Sequence, residues 1–145
     1  MPDLQIHCET ISVPAQSGPD IVNITGQLNS IIEKERFQTG ILNVFVAGST
    51  GSVTTVEFEP GAVEDLKRAI IALAPPGLSY RHELAWRDGN GHSHVQAALL
   101  GPSVSLPVRD GRLETGVWQQ VVLINHDIKL RKRKLEISLI GQRRA

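Results

Sequence analysis

The stretch that decides the fold is residues 41–58, ILNVFVAGSTGSVTTVEF. Its first part, Ile41–Ala47, is a near-continuous apolar run, which predicts a strand buried on both faces. Ser52–Phe58 is rich in β-branched residues and predicts the next strand. The small residues Gly48–Gly51 between them favour a plain hairpin turn, with an anion-binding loop as the alternative interpretation.

Outward from this stretch, short helical patterns alternate with strands. Residues 4–13 alternate, which predicts a half-buried strand with Leu4, Ile6 and Cys8 towards the core. Asp20 is placed to cap a helix over 21–35. Gly26 lies inside this helix, where glycine lowers helix stability by about 1 kcal/mol relative to alanine, so we expect a packing reason for it. The remaining elements are predicted as a helix over 62–73 and strands over 103–108, 115–126 and 135–140. Residues 94–100 favour a short helix, with a strand as the alternative. This order predicts a single α+β domain over residues 1–145, with a mixed or antiparallel sheet.

Composition excludes several classes of protein. The chain has 145 residues, and its 15 Lys+Arg balance its 15 Asp+Glu, which argues against a dedicated nucleic-acid binder. Its single cysteine, Cys8, excludes an intrachain disulfide framework and is expected to be inert core. No apolar run approaches the ~18 residues of a membrane span, and the start of the chain lacks a basic leader followed by an apolar run. We therefore expect a cytoplasmic protein with no membrane or nucleic-acid partner.

Histidines concentrate in one polar segment. His82, His92 and His94 are three of the five in the chain, and Gly89 and Gly91 between them allow sharp bends. In a strand, His92 and His94 would share a face, and His82 could complete a set of neutral nitrogen ligands. The segment predicts a divalent metal site, with zinc the first choice and magnesium the second. The alternative is a surface loop with unliganded histidines.

Two further groups of polar residues are candidates for the same site. Ser49, Thr50 and Ser52 offer hydroxyls and backbone amides for a phosphate, with a basic residue such as Arg112 as an additional contact. Glu57, on the strand that follows, is a candidate base or ligand, and its alternative role is a solvated strand position.

Several motifs together resemble one known family. Gly89–His94 (GNGHSH), 97–103 (AALLGPS), Asp110–Leu113 (DGRL) and 116–120 (GVWQQ) resemble the YjbQ-like family, also described as secondary thiamine-phosphate synthase. The resemblance extends over nearly the whole chain, and the block from Asp110 to Gln120 is its most specific part. It implies a mixed sheet curled into a half-barrel around helices, assembled as a homotrimer with sites near the subunit interfaces.

The resemblance also implies site residues. Tyr80 and His82 match a Tyr-x-His motif, and Ser93 and His94 match a Ser-His motif. Many members have His-Thr-Ser where this chain has Gly48-Ser-Thr, so one family histidine is missing and His92 is a candidate replacement.

The resemblance implies an enzyme that joins a pyrimidine pyrophosphate to a thiazole phosphate and releases pyrophosphate. The same resemblance is compatible with this reaction being a weak side activity of the protein. In this interpretation Glu57, His82 and His94 are catalytic, and Ser49, Thr50 and Ser52 bind phosphate. Two alternatives come from other classes: a trimeric module that binds a small anion or a metal without turnover, and a metal-dependent hydrolase.

Overall fold

Twelve helices and strands follow one another along the part of the chain that the structure describes. The structure, a computed structural model, describes residues 3–145. In chain order the elements are β1 (Gln5–Ala15), β2 (Asp20–Asn23), α1 (Thr25–Lys34), β3 (Phe37–Ala47), β4 (Gly51–Glu57), α2 (Pro60–Leu73), α3 (His82–Ala85), α4 (Gly91–Leu100), β5 (Ser103–Arg109), β6 (Arg112–Leu113), β7 (Gln119–Asn125) and β8 (Arg131–Arg143).

The strands form two sheets. One has five strands in the order β1-β8-β3-β5-β6, and the other has three in the order β2-β7-β4. Every strand pairing in the described part of the chain is antiparallel. The predicted α+β domain, a curled half-barrel packed with helices, is confirmed, and the antiparallel form of the two sheet alternatives is the one adopted.

The predicted hairpin over residues 41–58 is wrong. Strand β3 uses both of its edges, pairing with β8 on one side and β5 on the other, so β4 has no free edge to join. The chain leaves β3 at Gly48, whose φ of +136° is open mainly to glycine, and β4 pairs with β7 instead. The turn at Gly48–Gly51 therefore passes the chain from one sheet to the other.

Helix α1 begins later than the periodicity predicted. Residues 20–23 form a strand on β7, and the Asp20 carboxylate accepts the backbone N–H of Gln16 at 2.8 Å instead of capping a helix. The helix over Thr25–Lys34 buries Leu28, Ile31 and Ile32, as its 3.6-residue period requires. Gly26 has no packing reason, because a Cβ added there would meet nothing within 4 Å.

The main core lies between the two sheets and α1. It contains side chains from α1 and from both sheets, among them Phe37, Leu42, Leu123, Leu135 and Ile137. A smaller cluster under α2 contains Ile21, Ile70, Val122 and Ile124. Leu73, at the end of α2, is exposed.

Strand β1 presents the face opposite to the one predicted. Val13 and Ala15 are buried, whereas Leu4, Ile6 and Cys8 lie on the outside of the sheet, so Cys8 is not core. The prediction that β3 is buried on both faces is wrong for the single chain. Its Leu42, Val44 and Val46 are buried, whereas Ile41 and Phe45, on the other face, are exposed. Alternation identifies two faces but not which of them meets the core.

Within residues 3–145, no helix combines the length and the apolar character that a membrane crossing requires.

Gly26→Ala is expected to raise the free energy of unfolding by about 1 kcal/mol, because alanine favours the helix and the added methyl group meets no neighbour. Urea unfolding followed by circular dichroism measures this difference. The matched control is Gly91→Ala in α4, where the new methyl group would overlap the Cβ of Tyr80 and lower the stability. A loss of stability in Gly26→Ala would contradict the packing described for α1.

Candidate functional site

Three side chains with metal-binding groups meet at the surface between α3 and α4. The ligand atoms of His82, Asp88 and His94 all lie within 4.8 Å of one another. The His82 Nε2 lies 3.0 Å from the Asp88 Oδ1, and the two imidazole rings have centroids 4.3 Å apart. We call these three residues the His–Asp–His cluster. It is the only group of three or more His, Cys, Asp or Glu side chains with such spacing that the described residues contain.

Backbone hydrogen bonds fix the loop that carries Asp88. Glu83 accepts the N–H of Gly89 at 2.8 Å through one carboxylate oxygen and the N–H of Gly91 at 2.9 Å through the other. Asp88 itself accepts the backbone N–H of Asn90 at 3.0 Å. That bond, together with His82, holds the pKa of Asp88 below its usual value, so the carboxylate stays charged. The loop thus delivers an anionic oxygen to the two imidazoles.

His92 lies outside the cluster, contrary to the expectation that it joins His82 and His94. It stands in α4, where residues two apart point about 200° away from each other around the axis, and not in a strand. Its ring contacts Ser93 and lies 6.4 Å from the ring of Tyr80. Burial lowers the pKa of His92, which favours the neutral ring.

Glu57 lies far from the cluster, so the expectation that it approaches the histidines is wrong. It is the exposed last residue of β4, paired with Gln119. Gly51, at the other end of β4, lines a cleft together with His94. Glu57 lies six residue steps beyond Gly51 along an extended strand, a separation of roughly 20 Å.

The three predicted phosphate-binding hydroxyls separate. Ser49 lines a cleft of about 250 Å³ beside His94, together with Gly48, Gly51, Ala97, Ala98 and Pro102. Thr50 and Ser52 are buried and point into the protein. Thr50 donates to Asp127 at 3.0 Å, and the Ser52 hydroxyl lies 2.7 Å from His126 Nε2. Only Ser49 can therefore meet a ligand in this cleft.

A buried polar network under α4 escaped the sequence interpretation. Asn125, His126, Asp127 and Arg133 are each at most 6% exposed. The Arg133 guanidinium donates to Thr50 Oγ1 and to Asn125 Oδ1, each at 2.6 Å. Every buried side-chain nitrogen and oxygen in residues 3–145 has a partner. The sequence gives only one sign of this network: His126 and Asp127 directly follow the apolar run of β7. Polar residues at the end of a strand normally lie in a solvent-exposed turn, so their burial is not evident from the sequence.

Charge inside this network is balanced by hydrogen bonds. Burial alone would raise the pKa of Asp127, but bonds from the Lys129 backbone N–H, Thr50 and Asn90, together with the charge of Arg131, lower it overall. Asn90 Nδ2 donates to Asp127 Oδ1 at 3.3 Å, which connects the network to the start of α4. The network therefore positions the helix that carries His94.

The resemblance implies a histidine in many family members at the position of Gly48, and the surroundings here favour glycine for two reasons. A Cβ on Gly48 would lie 2.9 Å from the Arg133 Nη1, closer than side-chain carbons approach nitrogen. The φ of +136° at Gly48 also disfavours any larger residue. The buried guanidinium thus occupies the space beside the turn.

Burial of His126 makes the stability of the protein depend on pH. Burial, then the charges of Arg133 and His92, lowers the pKa of His126 from 6.5 to about 4. The Gln96 amide nitrogen donates to Ala74 O, so its Oε1 is free to accept the His126 Nδ1–H, at 3.0 Å. The other ring nitrogen, Nε2, then accepts the proton of the Ser52 hydroxyl. The folded protein therefore holds this ring neutral.

We expect the stability contributed by His126 to be complete above pH 6.5 and to fall as the pH drops from 6.5 to about 4, because only the unfolded chain takes up the proton there. The loss between pH 7 and pH 4.5 is about 2 kcal/mol. Urea unfolding at pH 7 and pH 4.5 measures it, with His126→Gln as the comparison. The variant is less stable at pH 7 but changes less with pH. Equal losses in both proteins would contradict a buried neutral imidazole.

Comparison with known proteins agrees with the fold and the motifs. The family model described as UPF0047 protein YjbQ-like matches residues 9–142. A UPF0047 protein of Methanothermobacter thermautotrophicus is 27% identical over 139 residues, covering 96% of this chain and 95% of that protein. The UPF0047 protein YjbQ of Escherichia coli O157:H7 is 30% identical over 116 residues, covering 79% of this chain and 83% of that protein.

Solved structures show the same architecture. A YbjQ-like protein of unknown function from Sulfolobus solfataricus P2 superposes with a TM-score of 0.91 at 32% identity, covering 97% of this chain and all of that one. A hypothetical protein from Aeropyrum pernix K1 superposes with a TM-score of 0.87 at 28% identity, covering 94% and 99% of the two chains. With the family model matching almost end to end, the chain belongs to the YjbQ-like UPF0047 family.

Proposed function

We propose that the protein is a zinc-dependent enzyme that acts on a small phosphorylated molecule held beside the His–Asp–His cluster. The observation that carries the proposal is the spacing of His82, Asp88 and His94, whose ligand atoms lie within 4.8 Å of one another. One of the three, His94, also lines a cleft. His82 and His94 are also the two histidines that match motifs of the resembling family.

The donor set fits zinc better than magnesium. Two imidazole nitrogens and one carboxylate are a common protein ligand set for catalytic zinc, whereas magnesium prefers oxygen ligands and keeps several waters. Three protein ligands leave a coordination position open for a water or a substrate. When bound, the ion supplies a Lewis acid that offsets the negative charge of a phosphate oxygen.

The cleft next to the cluster suits a small anion. Its volume of about 250 Å³ lies just below the range typical of pockets for drug-sized ligands. Ser49, which offers a hydroxyl donor, and His94 both line it. Ala97 and Ala98 line it as well, and their methyl groups are small.

The specific reaction implied by the family resemblance is thiamine-phosphate synthesis. The inward orientation of Thr50 and Ser52 and the distance of Glu57 leave Asp88, His82, His94 and Ser49 as the groups available to it. The same zinc-type donor set, with a single carboxylate, favours a second candidate: hydrolysis of a small phosphate ester by a metal-dependent route.

Purified protein supplied with zinc distinguishes the two reactions by formation of thiamine phosphate from both substrates or by release of inorganic phosphate from p-nitrophenyl phosphate. If neither product forms while zinc binds, the enzymatic part of the proposal fails and the non-catalytic binding module replaces it.

Zinc is expected to bind in a 1:1 ratio. His94→Ala and Asp88→Asn should each lower the zinc affinity by about 10- to 100-fold or more, because mutation of residues that only support metal ligands already lowers it by that much. Isothermal titration with zinc measures the affinity. His92→Ala is the matched control, because it removes a neighbouring imidazole outside the cluster, and it should bind as the unmodified protein does. Affinity should also fall as the pH is lowered, because only neutral imidazoles bind the ion. Equal losses in His92→Ala and His94→Ala would contradict the assignment.

We further propose that the protein assembles as a homotrimer through the outer face of the five-stranded sheet. Ile6, Ile140 and Ile41 lie opposite one another on β1, β8 and β3, and they are 70%, 43% and 51% exposed. Leu4 and Phe45 extend this apolar face. Contiguous exposed apolar surface of this kind marks an interface. A second copy of the chain is the occupant favoured by the zero net charge, which leaves little repulsion between copies.

Ile140→Lys is expected to convert the assembled protein to a monomer, because it places a charge in the middle of this apolar face. Size-exclusion chromatography with light scattering reports the mass. Val117→Lys, at an 84% exposed position in the loop before β7, is the control and should leave the mass unchanged. An unmodified protein that is monomeric at micromolar concentration would overturn the assembly.

A further inference from the structure

A second and larger cleft lies between α1 and the turn that joins β5 to β6. Its volume is about 430 Å³, within the range typical of small-molecule sites. One wall is a single stripe of α1, formed by Gly26, Asn29, Ser30 and Glu33 at helical spacing. We call it the α1–turn cleft. It shares no lining residue with the cleft beside His94.

Across the cleft lie Asp110, Gly111 and Arg112 of the motif Asp110-Gly-Arg-Leu113, to which the proposed function gives no role. Asp110 and Gly111 have φ values of +52° and +76°, as the two central residues of a type I′ turn require. The N–H of Gly111 donates to Gln38 O at 3.1 Å, and the N–H of Leu113 donates to Asn29 Oδ1 at 2.9 Å. These bonds attach the turn to β3 and to α1, so both walls have a fixed separation.

Charged groups of both signs line this cleft without neutralising each other. Arg112 and Arg144 present two guanidinium groups, and Glu33 and Asp110 present two carboxylates. Among residues 3–145, none of these four side chains makes an ion pair or a side-chain hydrogen bond. On the neighbouring stretch of the same hairpin, Arg109 and Glu114 do pair, at 2.8 Å. Opposite charges held apart in one cleft are complementary to a ligand that carries both.

Gly26 is consistent with a binding role for this wall. Glycine inside a helix lowers its stability, and a Cβ at this position would meet no protein atom within 4 Å. The open space that the missing side chain leaves belongs to the cleft. The packing of α1 therefore gives no reason for the glycine, whereas a ligand lying against the helix does.

We propose that the α1–turn cleft binds a small zwitterion, with a phosphate or carboxylate on Arg112 and Arg144 and an ammonium group on Glu33 and Asp110. Guanidinium groups bind both kinds of anion through paired charge-assisted hydrogen bonds. The inference does not depend on the zinc site, because the two clefts are built from different residues.

The test is isothermal titration of the full chain with four probes: phosphoethanolamine, γ-aminobutyrate, inorganic phosphate and ethylamine. At least one of the two zwitterions is expected to bind about tenfold more tightly than phosphate and ethylamine, since each of those engages one pair of charges. Whichever zwitterion binds better identifies the anionic group as phosphate or carboxylate. Equal affinity for phosphate and both zwitterions, or no binding of either zwitterion, would overturn the proposal.

Variants locate the binding in the cleft. Arg112→Ala should weaken the zwitterion about tenfold or more, whereas Arg109→Ala, the matched arginine with its own partner outside the cleft, should not. Gly26→Leu fills the space without changing charge and should weaken binding as well, with circular dichroism confirming that the variant is folded. Unchanged affinity in both Arg112→Ala and Gly26→Leu would show that the probe binds elsewhere and would overturn the assignment.

Discussion

The buried guanidinium of Arg133 is the interaction on which the rest of the structure depends. Arg133 belongs to β8 in the five-stranded sheet, while its acceptors, Asn125 and Thr50, belong to or adjoin the strands of the second sheet. A charge in this position is tolerated because its hydrogen bonds to Asn125 and Thr50 are made, and leaving a buried donor without its partner costs about 1–3 kcal/mol, more when the donor is charged. The two sheets must therefore meet at this corner with their residues in register. Asp127 and Asn90 then extend the same network to α4.

This corner sets where the candidate site can form. Helix α4 starts over the network, and the loop before it is fixed by Glu83 and by the backbone N–H bond to Asp88. His82 and His94 come from two different helices, and their meeting depends on that loop. The three side chains of the His–Asp–His cluster thus lie at the surface, whereas Asn90, Asp127 and Arg133, which position α4, are buried.

Local patterns in the sequence predicted the elements well and their partners poorly. Helix α2 and strand β5 were evident from period and from Pro and Gly boundaries, because these signals lie within a few residues. The hairpin at Gly48 and the inward face of β1 were predicted wrongly, since both depend on which strand occupies the neighbouring edge. In the site, the sequence identifies His82 and His94 but not Asp88, because the end of α3 and a bend of the chain bring Asp88 back to His82 and no short-range pattern marks that return. Thr50 and Ser52 were assigned to a ligand because a hydroxyl in the sequence carries no sign of Arg133 or His126 behind it.

The contact between Gly48 and Arg133 has a consequence for how members of this family can diverge. A histidine at position 48 would collide with the guanidinium and would require a different backbone angle. A smaller residue in place of Arg133 would remove its hydrogen bonds to Asn125 and Thr50 and leave each with its bond to Asp127. A lineage passing between the two arrangements must therefore change both positions nearly together, because each single step alone is unfavourable. The identity of residue 48 should consequently divide the family into groups whose residue at the position of Arg133 differs as well.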